Sequence, residues 1–381
     1  MKFILFANTD WYLYNFRLSL AKAIRDAGHD LLLISPDGEY GPKLRSLGFR
    51  WEPVPMVRKS LNPLHEVRLL FYLWALFRRE RATLVHGFTI KCAVYGALAA
   101  RFASVPMRIS AVAGMGFVFT SNSIKARLLR PVVKLLMRFS LGGEAARLIL
   151  QNSDDVNLFE EHGLIRAEQI RLIRGSGVDC QRFIASRARY ERQLPSRVLL
   201  AGRLLWDKGI AEYVAAARLL RSEGRSDIFL LAGDPDFGNP TAISETEIAT
   251  WVEEGVIEWL GHVDDMASLL GTVDIVTLPS YREGLPKTLI EAAACELPLV
   301  TTDVPGCREV VTDSVDGLLV PVRNPIALAD AIRRLLDDAA FAQKLGMAAR
   351  RKALVEFDEK IVIERTLSVY NEVLLGNSSN S

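Results

Sequence analysis

Residues 274–294 read DIVTLPSYREGLPKTLIEAAA. An apolar run ends in Pro279-Ser280. A tight turn carries Glu283, Gly284, Leu285 and Pro286, and an amphipathic stretch then carries Glu291. The order strand, turn, helix places the helix start at the strand's carboxyl edge. Pro286 suits the first helical position, where its missing N–H costs nothing, and the expected helix runs over 286–296. Its free N–H groups and positive dipole end make an anion site, and Gly284 allows a ligand close to the backbone. Glu291 lies about one and a half turns inside, roughly 7–8 Å along the axis, and its side chain leans back toward the helix start. Two carboxylates bracketing such a site are placed to accept hydrogen bonds from hydroxyls on either side of a diphosphate. The plainer alternative is a strand-turn-helix with two ordinary surface glutamates.

The pattern repeats in both directions. RVLLAG, DIFLLAG, VIEWLG, DIVTLPS, PLVTTDV and GLLVPV are apolar runs in the second half, separated by helical stretches such as 208–222 and 324–338. The first half offers KFILFAN, DLLLIS, ATLVHGF, MRISAVAG and RLILQN, with helical patterns at 15–27, 63–80, 91–103 and 123–140. Apolar strands alternating with helices imply parallel sheets covered on both faces. Two such series in 381 residues predict an α/β chain of two doubly wound, Rossmann-like domains, with sites at the strand carboxyl ends. The expected division is 1–180, 181–360, a C-terminal helix at 361–376 packing back on the first domain, and a tail at 377–381. No GxGxxG follows the first strand, which removes the main support for a nicotinamide dinucleotide.

Half the residues are apolar and 24% charged, as in a globular protein. Four dispersed cysteines without a CxxC pair argue against a disulfide framework and a zinc site. MKFILFAN is too short an apolar run for a signal-peptide core, and no stretch is long enough to span a bilayer. Residues 1–180 carry 25 Lys+Arg against 15 Asp+Glu, whereas 181–381 carry 22 against 30. The halves therefore meet different partners.

RVLLAGRLLWDKGIAEY (197–213) supplies a second strand-end loop, with Arg203 and Lys208 five apart. An Arg fork and a Lys point charge together can neutralise a diphosphate without a metal; the plainer alternative is two solvated cations. With AGRLLWDKG, LLAGDPD, WLGHVDD, LPSYREGLPKTLIEAAACELPLVTTDVPGCREVV and DGLLVP in place, residues 197–321 resemble a retaining glycosyltransferase of family 4, with the two-domain GT-B fold facing across a cleft. The resemblance implies that Glu283 contacts the hydroxyls of the transferred sugar and Glu291 the ribose. It puts Arg203 and Lys208 on the diphosphate and Gly284, Leu285 and Pro286 where backbone meets phosphate. Glu283, Arg203, Lys208 and His86 are the residues expected to act in catalysis. The family's usual Gly-Asp-Gly is here Gly233-Asp234-Pro235-Asp236. Asp234 is expected on the donor side, and the Asp-x-Asp resemblance to a metal motif is set aside. No metal and no cofactor beyond a UDP-linked sugar donor are expected.

The first half, through NFRLSLAKAIRDAGHDLLLISPDGEY, LHEVRLLFYLWALFRRE and VHGFTIKCAVYGALAARFASVPMRISAVAGMGFVFT, resembles the subgroup that builds bacterial surface glycans on lipid-diphosphate carriers. That resemblance implies transfer of N-acetylhexosamine to an undecaprenyl-diphosphate-linked sugar. By position, Asn15 and Arg17 open the first helix, His86 ends a strand, Lys91 starts a helix, and Gly114 and Gly116 border the acceptor. A cation at a helix start opposes the dipole, so Lys91 calls for a nearby anion. Residues 57–81 and 124–138 mix aliphatic and aromatic residues with Arg and Lys at helical spacing, as interfacial helices do; the plainer alternative is amphipathic helices that face the core and carry solvated basic faces. The expected place is the inner face of the cytoplasmic membrane, held peripherally on anionic lipid. Two other readings are a UDP-sugar epimerase of the same fold and a silent nucleotide-sugar-binding partner of a membrane complex. Nucleic acid is excluded, because the basic residues accompany aliphatic helices rather than exposed aromatic platforms.

Overall fold

The computed structural model describes residues 1–57, 62–112, 124–186, 195–236 and 238–378. Two parallel sheets organise the chain. The first holds β1 (Lys2–Phe6), β2 (Asp30–Ser35), β3 (Arg50–Pro53), β4 (Leu84–Phe88), β5 (Met107–Val112), β6 (Ala146–Leu150) and β7 (Ile170–Leu172), in the order β3-β2-β1-β4-β5-β6-β7. The second holds β8 (Arg197–Ala201), β9 (Ile228–Ala232), β10 (Glu258–Gly261), β11 (Ile275–Leu278), β12 (Leu299–Thr302) and β13 (Leu318–Val320), in the order β10-β9-β8-β11-β12-β13. Each sheet reverses its winding once: between β1 and β4 in the first, and between β8 and β11 in the second. Crevices at the carboxyl ends of such neighbours are where open α/β sheets bind ligands.

Central strands are apolar throughout because both faces are covered. Ile4, Leu5, Phe6, Val198, Leu199 and Leu200 are fully buried. The six apolar runs of the second half become β8 to β13. The short edge strands β3 and β7 were not in the sequence expectation. The chain divides into one unit of Met1–Ser176 with Val362–Ser381, and another of Gly177–Ile361. The helix Glu359–Ser378 sends Val362, Val369, Tyr370 and Val373 into the core beside Phe3, Leu5 and Phe88. All four cysteines are buried and free.

The first helix is Asp10–Asp26, starting five residues before its expected start at 15. Thr9 caps it, its hydroxyl accepting from the Tyr12 N–H, which satisfies one of the helix's orphan donors. Leu13, Leu20, Ala21 and Ile24 form its buried stripe. The helix Pro63–Arg79 begins on an Asn62 cap with proline in its first turn. Leu69, Leu73, Leu76 and Phe77 face inward, each worth ~1.5–3 kcal/mol of burial. Its opposite face leaves Leu64, Val67 and Phe71 exposed. No helix among the described residues is long and apolar enough to cross a membrane.

Candidate functional site

In the second unit the loops after β8 and β11 are pressed together. Gly209 follows the short turn Trp206–Lys208 with φ +72°, and a Cβ there would overlap the Pro279 carbonyl at the end of β11. Only glycine meets both demands. The Tyr281 N–H donates to the Asp207 carbonyl at 2.9 Å, tying the loops. Lys208 Nζ consequently meets Glu283 Oε1 at 2.5 Å, and the Ser280 hydroxyl donates to the same oxygen at 2.7 Å. These two predicted residues are thus partners of one another, with side chains only 18% and 11% exposed. From β12, Gly306 (φ +80°) abuts the turn: a Cβ on it would lie 2.5 Å from the Gly284 carbonyl oxygen and 2.7 Å from that of Glu283.

The helix after this turn is Lys287–Ala294. Pro286 was expected inside it, but its ψ of 106° puts it just outside, as the N-cap. Leu285 packs against the core. Glu291 is 8% exposed. Burial pushes its carboxyl up from the ordinary range, opposed by Lys287 and Arg182, with Lys287 Nζ at 3.6 Å one turn earlier. A buried carboxyl whose burial outweighs the pull of Lys287 and Arg182 suits a neutral hydroxyl partner better than a second anion.

Arg203 projects on the other side of β8. It pairs with Asp236 at 2.8 Å, the arginine side chain being 57% exposed. Such exposed pairs are worth ~0–1 kcal/mol, so a polyanion displaces the carboxylate at little cost. Asp234 is exposed, and its carboxylate lies 4.0 Å from His262 Nδ1. Asp236 is thereby occupied by an arginine. Among the described residues, no group of three or more His, Cys, Asp or Glu is arranged to hold a metal.

In the first unit, Arg17 and His86 meet on Phe88, while Asn15 and Lys91 bond to other partners. Asn15 lies in the second turn of its helix rather than at its start, its side-chain amide donating to the Trp11 carbonyl at 3.0 Å. Arg17 is buried, gives Nη2 to the Tyr12 hydroxyl at 2.9 Å, and lies 4.4 Å from the Phe88 ring centroid. His86 sits within β4, paired to Leu5 of β1 and Ile109 of β5. Its Nδ1 meets the Tyr370 hydroxyl at 2.6 Å. Burial, reinforced by Arg17, holds the imidazole well below its usual range. The anion expected for Lys91 is supplied by the protein: Nζ bonds Glu66 at 2.8 Å and the Val57 carbonyl at 2.9 Å. Gly114 and Gly116 lie outside the described residues.

Sequence reasoning missed Asp10, which accepts from the Tyr40 and Gly41 N–H groups at 2.7 and 2.8 Å. It also missed Ser280, Glu66 and Tyr370 as partners of site residues. Ser280 closes the strand motif three residues before Glu283, which is a readable signal. The other three act across long sequence separations that no local pattern announces.

Residues 195–338 match the family described as Glycosyl transferases group 1, and residues 15–175 match the Glycosyl transferase 4-like domain. The chain is 30% identical over 372 residues to the N,N'-diacetylbacillosaminyl-diphospho-undecaprenol alpha-1,3-N-acetylgalactosaminyltransferase of Campylobacter jejuni, covering 95% of this chain and 96% of that protein. It is 24% identical to the UDP-Gal:alpha-D-GlcNAc-diphosphoundecaprenol alpha-1,3-galactosyltransferase of Escherichia coli, over 75% of this chain and 74% of that one. Anabaena Alr3699/HepE in complex with UDP superposes with a TM-score of 0.79 at 20% identity, over 98% of this chain and all of that one. Its neighbours in fold are GT-B glycosyltransferases.

Proposed function

The chain belongs to the group 1 glycosyl transferases, and from that premise we propose that it moves N-acetylhexosamine from a UDP-linked donor to a saccharide carried on a lipid diphosphate, with retention at the anomeric carbon. The observation that carries the donor side is the pair of cations after β8: Lys208 locked to Glu283, and Arg203, itself 57% exposed, paired with the part-buried Asp236. Arg203 exchanges Asp236 for a diphosphate. Lys208 and the start of the helix Lys287–Ala294 face the same anion. These cations do the work for which other sites use a divalent ion. Glu283 orients sugar hydroxyls and Glu291 the ribose. The anomeric bond to the diphosphate breaks, the acceptor oxygen bonds the anomeric carbon on the same face, and the acceptor proton passes to the leaving diphosphate. The protein contributes positioning and stabilisation of the departing charge. UDP as donor is supported by the name of the E. coli relative, and the lipid-diphosphate acceptor by the names of both relatives.

Calorimetry with UDP and GDP tests the donor side. UDP is expected to bind the wild type, and Arg203→Ala to weaken it about tenfold or more, the loss of a charge-assisted hydrogen bond. Absence of nucleotide binding, or equal affinity in the mutant, sinks the assignment.

A membrane-borne acceptor requires contact with a lipid surface, and the helix Pro63–Arg79 offers one. Leu64 is 78% and Phe71 67% exposed. Val67, Leu70, Phe71, Trp74 and Phe102 line an apolar groove of about 290 Å³. Arg68 and Arg78 are exposed on the same helix. This face rests on the anionic inner leaflet, its apolar residues in the interface and its arginines at the headgroups. Arg68→Glu with Arg78→Glu should weaken binding to anionic liposomes roughly a hundredfold, at ~1 kcal/mol or more per cation near the surface, with UDP affinity unchanged. Unaltered liposome binding returns the helix to an ordinary solvated face.

A further inference from the structure

Among the described residues of the first unit, five side chains keep a buried polar atom without a hydrogen-bond partner, and two of them, His86 and Arg17, are themselves almost wholly buried. His86 is 1% exposed and Arg17 5%. His86 Nε2 and Arg17 Nε have no hydrogen-bond partner among the described residues, and no described carboxylate pairs with the Arg17 guanidinium. Both groups pack on Phe88, the His86 ring at 4.0 Å between centroids and Arg17 Cζ at 4.4 Å. A buried cation without a counter-ion and a buried ring nitrogen without a partner are each costly. A ligand bringing an anionic oxygen relieves both.

The remaining contact decides what His86 can offer. Its Nδ1 lies 2.6 Å from the Tyr370 hydroxyl, and the Tyr370 ring stands at 90° to the imidazole, edge-on to Phe3 as well. Of the two groups the phenol is the stronger acid and the imidazole the stronger base. The hydroxyl therefore donates, Nδ1 accepts, and the ring proton resides on Nε2. Burial keeps the phenol protonated and the imidazole neutral, so neither group carries the charge that would reverse this arrangement.

We propose that Tyr370, on the C-terminal helix, is a positioning residue: its hydroxyl holds His86 in the Nε2–H tautomer, so that the imidazole presents a neutral N–H donor beside Arg17 to a phosphoryl oxygen of a substrate. His86 is then a hydrogen-bond donor and not a proton acceptor. The proposal deepens the reading above and rests on it for the nature of the substrate. It also gives the C-terminal helix a part in the chemistry, since a residue 284 positions away from His86 sets which nitrogen carries the proton.

The tautomer is read directly by two-bond proton–nitrogen correlation on protein with ¹⁵N-labelled histidine, the His86 signals being assigned with His86→Gln. The wild type should show a protonated Nε2 and a bare Nδ1. Tyr370→Phe, which removes one oxygen and keeps the ring, should move the signals to a mixture of tautomers and raise KM for the lipid-linked acceptor about tenfold, with a smaller change in kcat. His86→Gln, which keeps an N–H near the Nε2 position, should retain more activity than His86→Asn. Titration with farnesyl diphosphate and separately with UDP identifies which diphosphate supplies the oxygen, by which one shifts the Nε2 signal. A wild type protonated on Nδ1, a Tyr370→Phe spectrum identical to wild type, or an Nε2 signal indifferent to both diphosphates overturns the proposal. The spectrum needs no turnover. A tautomer that depends on Tyr370 in a chain inactive on lipid-linked sugar therefore supports the positioning role while sinking the reading of function.

Discussion

Lys208→Ala should lower kcat about a thousandfold, the scale for removing a fixed cationic donor aimed at charge that develops in the transition state. The lysine is well placed for a large effect. Its ammonium is mostly buried and fixed on Glu283 Oε1, on a turn tied through Asp207 to Tyr281. It therefore pays little reorganisation at the moment of reaction. Removing it also leaves Glu283 with the Ser280 hydroxyl but without its cation, which destabilises the unit by ~1–3 kcal/mol. A thermal melt separates that loss from catalysis. The double variant Lys208→Ala/Glu283→Ala should recover part of the stability, because no unpaired charge remains, while recovering no transfer. Lys208→Arg should not rescue, since a planar fork replaces a compact point charge at a contact of 2.5 Å. Turnover within a few-fold of wild type in Lys208→Ala would show the pair to be a structural tie only.

What the sequence displayed of this site and what it concealed divide along a physical line. Arg203, Lys208, Glu283 and Glu291 were legible because each sits on a strand-end loop or helix turn whose local pattern announces it. Their partners were not. Lys208 reaches Glu283 because β8 lies beside β11, a neighbourhood set by where the winding reverses and not by proximity along the chain. The same holds for Arg203 with Asp236 after β9, and for Lys91, whose expected anion turned out to be Glu66 on a neighbouring helix. The central strands were legible as continuous apolar runs. β3 and β7 were hidden because RWEP and IRL are short, and a charged or polar residue interrupts each, as edge strands tolerate. The first helix began earlier than its pattern because the aromatic run Trp11, Tyr12, Tyr14 and Phe16 blurs a single apolar stripe, while the Thr9 cap that starts it is a local hydrogen bond.

Gly306→Ala should cost transfer about a hundredfold although residue 306 carries no side chain to lose. The glycine comes from the loop after β12 and stands against the turn after β11. At φ +80° an alanine already incurs ~1 kcal/mol. Its Cβ would then lie 2.5 Å from the Gly284 carbonyl oxygen and 2.7 Å from that of Glu283. Both obstacles are backbone, which cannot rotate away as the end of a long side chain can. The turn must therefore shift by several tenths of an ångström, and Glu283 shifts with it, loosening its contacts to Lys208 and Ser280. Displacements on the order of 1 Å at a reacting centre cost about a hundredfold. The accompanying loss of stability should be ~2–3 kcal/mol, from the sum of dihedral strain and overpacking. UDP affinity should fall less than kcat, because Arg203 lies beyond β8 on the far side from this contact. Wild-type kcat with a lowered melting temperature would mean that the loop carrying Gly306 yields and the Glu283 turn stays in place. The position of the carboxylate would then be set by Lys208 and Ser280 alone.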